Sequence, residues 1–370
     1  MASFFDHHAN ELQSLQSIGD NTDYRKQAAS RNAEILLHNP TLIPERLTQH
    51  DSVFAEKDIA RELNKYIDDP HEFQAVLHAV LSDKELVRLQ PIDSASQQSI
   101  DSDAYFSTRT MINIEREMMD STKALYQDQP HGVHSDFIND AIADQNNELQ
   151  EKFGGVLSDE QINAIKHMTG SEGFATLIGY AGAGKSTALK AARRAWEAQG
   201  YKVHGAALAG KAAAGLQESS GIQSRTLHSY QYLWENKQER HHLTSNDVFV
   251  IDAASMVGSK QLQYFLSKIE QAGAKIVLVG DSSQLQPIAA GGAFKAIEDI
   301  TSSAKITEIR RQTQDWQRQV SMDFANGNIE TALKAYENKG YINKATSTDE
   351  AIELLVDDYM ADLKGNSSVK

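Results

Sequence analysis

The chain has 370 residues, 40% of them hydrophobic, enough for two or three ordinary domains with a sizeable buried core. It has no cysteine, which excludes disulfides, thiolate catalysis and cysteine-ligated zinc together. Its 36 basic and 51 acidic residues leave a net charge of −15, so any polyanion has to be met in a local groove built against the global field.

No run of 18 apolar residues occurs, which predicts no membrane span, and the start MASFFDHHANELQSL has no basic segment leading into a long apolar stretch. A reducing cytoplasm suits this chain. Residues 1 to about 50 are polar and predicted helical. Short helices are predicted between Val53 and Leu89, where Ile59, Leu63, Tyr66 and Ile67, and then Phe73, Val76, Leu77 and Val80, recur at helical spacing. Pro70 is expected to open the second of them. The polar stretch SASQQSIDSD reads as a loop, Thr110 to Tyr126 as an amphipathic helix, and 128 to 155 as mixed, with a turn at Pro130-His131-Gly132.

The pattern changes at about Leu157. Apolar runs at Ala175–Ile178, Val203–Ala207, Val248–Ile251 and Ile276–Val279 alternate with helical stretches. Such alternation predicts an α/β fold: a parallel sheet covered on both faces, with ligands at the carboxyl ends of its strands. Asp349 to Lys364 is predicted helical, with Ile352, Leu355, Tyr359 and Leu363 on one face, and the last six residues are expected to fray.

The motifs fall at the predicted strand ends. Gly179-Tyr180-Ala181-Gly182-Ala183-Gly184-Lys185-Ser186 fits the phosphate-loop pattern G-x-x-x-x-G-K-[ST] between a strand and the helix Thr187–Gln199. Glycines let backbone amides wrap a phosphate without Cβ clashes, and the helix N-terminus adds a favourable dipole. Lys185 is expected on the β- and γ-phosphates of ATP and Ser186 on Mg²⁺. Asp252 ends the strand Val248–Ile251 and is expected to hold the Mg²⁺ water shell opposite Ser186. Many ATPases of this kind place a glutamate next; here the residue is Ala253. Loss of a general base costs about 10²–10⁴-fold, so binding is expected to survive and hydrolysis to slow. Natural decay, a deliberate trapping substitution and a compensating acid from elsewhere all fit. After the strand Ile276–Val279, Gln284 is the candidate reporter of the γ-phosphate, with Gln286 read as structural or at a nucleic-acid surface. Arg310-Arg311 supplies planar guanidinium groups that suit developing phosphoryl charge. His7-His8 and His241-His242 read as solvated pairs, since adjacent side chains rarely converge on one ion, and no zinc site is expected.

Taken together, LSDEQ at 157–161, GYAGAGKST, AALAGKAA at 206–213, GIQSRTLHS at 221–229, IDAASMVG, LVGDSSQLQPIAAGGAF and ITEIRRQTQDWQR resemble the superfamily 1 helicases of the RecD-like branch. Within it the sequence is most similar to the helicase region of Ti-type conjugative relaxases, the TraA family. LTQHDSVFAEKDIAREL and YFSTRTMINIEREMM extend the likeness to about 45–345. The resemblance implies a RecA-like P-loop NTPase sheet over 151–312, a helical, winged-helix-like region over 1–150, and at 313–370 a helical stub opening a second motor domain. It implies that Gln161 contacts the adenine edge and that Gly179, Gly182, Ala183, Gly184, Lys185, Ser186 and Thr187 hold the nucleotide. Lys185, Asp252, Gln284 and Arg311 would be catalytic, with Ser186 and Asp252 on the metal. Lys211, Thr226 and His228 would lie along single-stranded DNA; core packing is the favoured reading of Tyr230 and Tyr232. Other conjugation proteins are implied as partners. Two readings remain open: an ATP-dependent DNA motor lobe with weak hydrolysis, or a non-catalytic nucleotide-binding module left from a decayed helicase.

Overall fold

The structure, a computed structural model, describes residues 12, 14–15, 22–89, 104–180, 182–236, 242–281, 287, 290–308, 312, 314–325 and 327–365. The polar start becomes helices α1 (Thr22–His38) and α2 (Leu42–Leu47). They are followed by β1 (Phe54–Ala55), α3 (Glu56–Leu63), α4 (Pro70–Leu81), β2 (Leu86–Leu89) and β3 (Tyr105–Thr108). Pro70 opens α4, and the Asp69 carboxylate caps it by accepting from the His71 and Glu72 amides at 2.8 and 3.0 Å. Leu36, Ile43, Phe54, Ile59, Leu63 and Val76 share one buried core here. The three strands pair antiparallel in the order β1-β3-β2, a small sheet that no apolar run in the sequence marks. The SASQQSIDSD stretch lies outside the described residues.

Helices α5 (Arg109–Gln127), α6 (Ser135–Phe153) and α7 (Asp159–Met168) lead to the larger sheet. The elements that follow are β4 (Phe174–Gly179), α8 (Lys185–Gln199), β5 (Lys202–Ala207), α9 (Gly210–Ser220), β6 (Ser224–Thr226) and α10 (Leu227–Glu235). After them come β7 (Asp247–Ile251), α11 (Ser259–Ala272), β8 (Lys275–Gly280), α12 (Ala293–Glu298) and β9 (Ser303–Ile306). The six strands run parallel in the order β6-β5-β7-β8-β4-β9. The four inner strands are those that the apolar runs marked, each a residue or two longer. The 128–155 segment, mixed in sequence, is mostly the single helix α6; Gly154 at φ +66 ends it in the left-handed conformation.

Strand pleating divides the core by alternate residues. Phe174, Ile178, Phe249, Ile251, Ile276 and Leu278 pack on one face with Phe265 of α11. Ala175, Leu177, Val248, Val250, Val277 and Val279 pack on the other with Leu189 and Trp196 of α8. At the opposite edge from the strand ends, the fully buried Lys275 donates to the backbone oxygens of Gly170 (2.8 Å) and Glu172 (2.6 Å). Burial lowers its ammonium to about 7. These bonds tie the turn ahead of β4 to β8 and so set the height of the strand that carries the phosphate loop.

Met1–Thr307 forms one compact unit and Glu308–Lys370 a second. The second unit contains α13 (Asp315–Ala325), α14 (Ile329–Asn338) and α15 (Thr348–Gly365). Trp316 stacks on Tyr341 at 5.7 Å, and Val320 and Ala332 are buried. Ile352, Leu355, Tyr359 and Leu363 of α15 are exposed. Among the described residues no helix is long and apolar enough to cross a membrane.

Helix α6 holds α8 through one carboxylate. Glu148 accepts from Lys190 (2.5 Å), Lys152 (2.9 Å) and Arg194 (2.8 Å). These bonds, Lys190's first, pull its carboxyl from 4.5 down to about 2. A folded pKa below the unfolded one means stability that is present above the unfolded value and lost as pH falls toward the folded one. Glu148→Gln is expected to lower the melting temperature at neutral pH, and the gap to the parent protein should close as pH falls from about 4.5 to about 2. Calorimetric melts across that range check this, and a gap independent of pH refutes it.

Candidate functional site

The carboxyl ends of the parallel strands form one edge, and the candidate residues gather there. At the end of β4 the chain turns through Gly182 (φ +80) and Gly184 (φ +88) into α8. Gly184 answers a backbone demand, since its left-handed conformation disfavours a side chain, and a Cβ there would sit 2.3 Å from Gln161 Nε2, which would have to move. At Gly179 a Cβ would come within 2.7 Å of Ile306 O on the neighbouring strand β9. The glycines therefore answer packing demands of the loop itself as well as backbone approach to a phosphate.

Lys185, first residue of α8, folds back and donates to Gly179 O (2.5 Å) and Tyr180 O (3.1 Å). Its ammonium thus rests inside the loop. Asp252 leaves β7 two strands away, roughly 10 Å at normal strand spacing. Burial raises its carboxyl; the Ala253 amide, at 2.9 Å from Oδ1, and the nearby Lys185 charge pull the other way. Cation and carboxylate therefore feel one another across the cleft. Ser186 and Thr187 lie in the first turn of the same helix, both half-buried, and Ala183 is buried. A hydroxyl and a carboxylate are the hard oxygen donors that Mg²⁺ prefers, and a glycine loop with a lysine inside it suits a phosphate, so the residues fit a metal–nucleotide complex.

Gln161 is buried, 2% exposed, and engaged at both ends. Its Oε1 accepts from the Ser158 amide (3.0 Å) while Ser158 Oγ accepts from the Gln161 amide (3.2 Å), a reciprocal cap on α7. Its Nε2 donates to Gly184 O at 3.3 Å. Next to it Glu160, part of the LSDEQ segment but given no role in it, accepts from both the amide and the hydroxyl of Thr307, each at 2.7 Å. This clasp fixes the end of β9, the start of the segment leading to Arg310 and Arg311. Those two arginines, Gln284, Gln286, His7, His8 and His241 lie outside the described residues. Beyond Gln284 and Gln286 in sequence, Ala290 N donates to Gln49 O (3.1 Å), and Ala290 O accepts from Ser259 N (3.0 Å). Among the described residues no group of three histidine, aspartate or glutamate side chains could hold a metal.

Of the residues expected along DNA, Thr226 borders a groove of about 590 Å³ between α9 and β6, at the same sheet edge. Thr226 lines it with Gly210, Arg225 and Ser229. Thr226 also caps α10, accepting from Ser229 N at 3.2 Å. Lys211 follows Gly210 and is exposed, as is His228. Arg225 was missed in the sequence; its alternating strand position beside Thr226 is the signal that could have found it. Tyr230 is core, 4.9 Å edge-on to Phe249, and burial pushes its hydroxyl up to about 12. Tyr232 departs from its expected core packing: it is 64% exposed, because the two residues from Tyr230 to Tyr232 carry it round the helix and off the buried face.

Ala253 has φ +53 and ψ +38, and no other non-glycine described residue has positive φ. Such backbone costs an alanine roughly 1–2 kcal/mol.

Residues 156–347 match the protein-family model described as AAA domain. Conjugal transfer protein TraA of Rhizobium radiobacter is 41% identical over 345 residues, 93% of this chain and 30% of that protein. Conjugal transfer protein TraA of Agrobacterium fabrum is 40% identical over 356 residues, 95% of this chain and 31% of that one. ATP-dependent RecD2 DNA helicase of Deinococcus radiodurans is 32% identical over 158 residues, 42% of this chain and 22% of that protein. The chain thus spans about a third of the length of the TraA proteins it matches.

Gly184→Ala is expected to weaken nucleotide binding by about tenfold or more, given the left-handed penalty and the displaced Gln161 amide. The double variant Gly184→Ala/Gln161→Ala should recover only part, since the backbone demand persists. Titration with a fluorescent ATP analogue checks both; full affinity in the single variant refutes the packing argument.

Proposed function

Since the chain belongs to the AAA-domain family and corresponds to the RecD-like helicase region of TraA conjugal transfer proteins, we propose that it is an ATP-binding motor lobe for single-stranded DNA. In the longer protein, translocation would be coupled to ATP hydrolysis. The observation that carries this reading is a glycine loop with the Lys185 ammonium folded into it, on the same strand-end edge as Asp252 two strands away. Lys185 would release the loop carbonyls and take up the β- and γ-phosphates. Gly179, Gly182, Ala183 and Gly184 would shape the cradle, with Thr187 behind it. Ser186 and Asp252 would hold Mg²⁺, which supplies charge neutralisation for phosphoryl transfer. Gln284 and Arg311 would report and stabilise the γ-phosphate. Gln161 would meet the adenine edge, which asks its amide to leave Gly184 O. Lys211, Thr226 and His228 would track a DNA strand along the groove that Thr226 lines, a local site on an acidic chain and hence steeply salt-dependent. A cytoplasmic setting and contacts with other conjugation proteins accompany this reading.

A second reading, a non-catalytic nucleotide-binding module, is favoured by one observation: alanine, not a carboxylate, follows Asp252. The two readings share nucleotide binding and divide on turnover. Saturating ATP with Mg²⁺ should raise the melting temperature in both, and Lys185→Ala should weaken binding about 10–100-fold through loss of charge-assisted bonds. Turnover should be slow, and Ala253→Glu should raise it by about 10²-fold or more if the motor reading holds. No binding of ATP to the parent chain defeats both readings; no gain from Ala253→Glu leaves the module.

A further inference from the structure

The phosphate loop is gripped at its two ends by different elements. Its first residue, Gly179, closes β4 and pairs with Ile306 of β9, so closely that a Cβ at 179 would meet Ile306 O at 2.7 Å. At its other end Gly184 lies against Gln161, whose Nε2 donates to Gly184 O at 3.3 Å. The two grips are joined to one another. Thr307 follows Ile306, Glu160 precedes Gln161, and Glu160 accepts the Thr307 amide on Oε2 and the Thr307 hydroxyl on Oε1, both at 2.7 Å. Successive residues of a helix point about 100° apart, so neighbours at the start of α7 reach β9 with one side chain and the loop with the next. Ile306, Leu157 and the loop residue Ala183 share one buried core, which backs the arrangement with packing. The contacts thus run in a closed circuit: Gly179, Ile306, Thr307, Glu160, Gln161, Gly184.

We propose that Glu160 is a positioning residue for phosphate binding: by clasping Thr307 it closes this circuit and holds the two ends of the phosphate loop at the separation a bound triphosphate requires. This rests on the reading of the loop as a nucleotide site. A loop whose ends drift has to be ordered by its ligand, and that ordering is subtracted from affinity; a loop already braced binds at full strength. Charge-assisted bonds to both carboxylate oxygens fix direction as well as distance, which a single neutral bond does not. Glu160 acts here through Thr307 and through its neighbour Gln161, without touching the phosphates.

The test separates bracing of the loop from mere stabilisation of the fold. Affinity for a fluorescent ATP analogue with Mg²⁺ is measured for the parent protein, Glu160→Ala, Thr307→Val, Thr307→Ser and the double variant Glu160→Ala/Thr307→Val. All titrations are run well below each melting temperature, where a purely stabilising contact leaves affinity unmoved. Glu160→Ala is expected to weaken binding about five- to tenfold, the share of a charge-assisted pair that reaches the loop. Thr307→Val keeps the amide bond and loses the hydroxyl one; it should weaken binding about threefold in the parent and no further once Glu160 is gone. Thr307→Ser keeps both bonds and should stay within about twofold of the parent. Full affinity in Glu160→Ala, or the same loss from Thr307→Val with and without Glu160, overturns the proposal. Should Glu160→Ala fail to fold, the comparison of valine with serine at 307 carries the test, and equal affinities overturn it. Failure of the parent to bind the analogue defeats the nucleotide reading instead. Hydrogen exchange then judges the brace: Thr307→Val should speed amide exchange in a peptide covering the phosphate loop, Thr307→Ser should not, and unchanged exchange in both overturns it.

Discussion

Both faces of the larger sheet are spent on packing, and this leaves its carboxyl edge to do chemistry. Alternate residues of β4, β7 and β8 enter two different cores, so no position in these strands is spare. Every polar group that acts must therefore emerge where a strand stops. Gly179, Asp252 and Thr226 do so within one residue of strand ends, and the parallel direction brings all three to the same side. The distance between the phosphate loop and Asp252 is set by two inter-strand steps, which long flexible segments could not hold as closely.

At that edge, charge is held under tension. Lys185 satisfies itself on two backbone oxygens, and Asp252 leans on one backbone amide while its carboxyl is pushed up by burial. An anion with its metal would meet a half-buried cation and a half-buried carboxylate already held on one strand-end edge, which is electrostatic preorganisation built before any ligand arrives. The loop's own requirements are nonetheless structural. Its glycines are demanded by Ile306 O and the Gln161 amide as much as by a phosphate.

The inner strands were legible because two-sided burial writes them as unbroken apolar runs. The loop was legible because glycine, lysine and serine at that fixed spacing, between a strand and a helix, rarely coincide by chance. The edge strands were not. Ser224–Thr226 buries no residue fully and Ser303–Ile306 only Ile306, so no apolar run marks either. The two-residue β1 and its partners fail for the same reason and for shortness. Helix α6 hid behind a polar composition because one narrow stripe, with Ile138, Ile142 and Leu149, meets the core. The Ser158–Gln161 cap is spelled out as S-x-x-Q, yet the Gly184 contact of that glutamine is not. Glu160 and Thr307 stand 147 positions apart, a separation no local pattern spans. The left-handed turn at Ala253 is invisible for a different reason: alanine carries no signature of a conformation it adopts at a cost.

The contact between Gly184 and Gln161 constrains how such a chain can change over generations. Shortening residue 161 opens space but does not alter the backbone at 184, so glycine stays compulsory there. Substitution at 184 meets the left-handed backbone whatever residue stands at 161 and also displaces the Gln161 amide. The demand at 184 thus outlasts any change at 161, and the loop glycine acts as a ratchet even where the helix cap has been lost. Lineages that have lost the activity would be expected to show the cap eroded before the glycine.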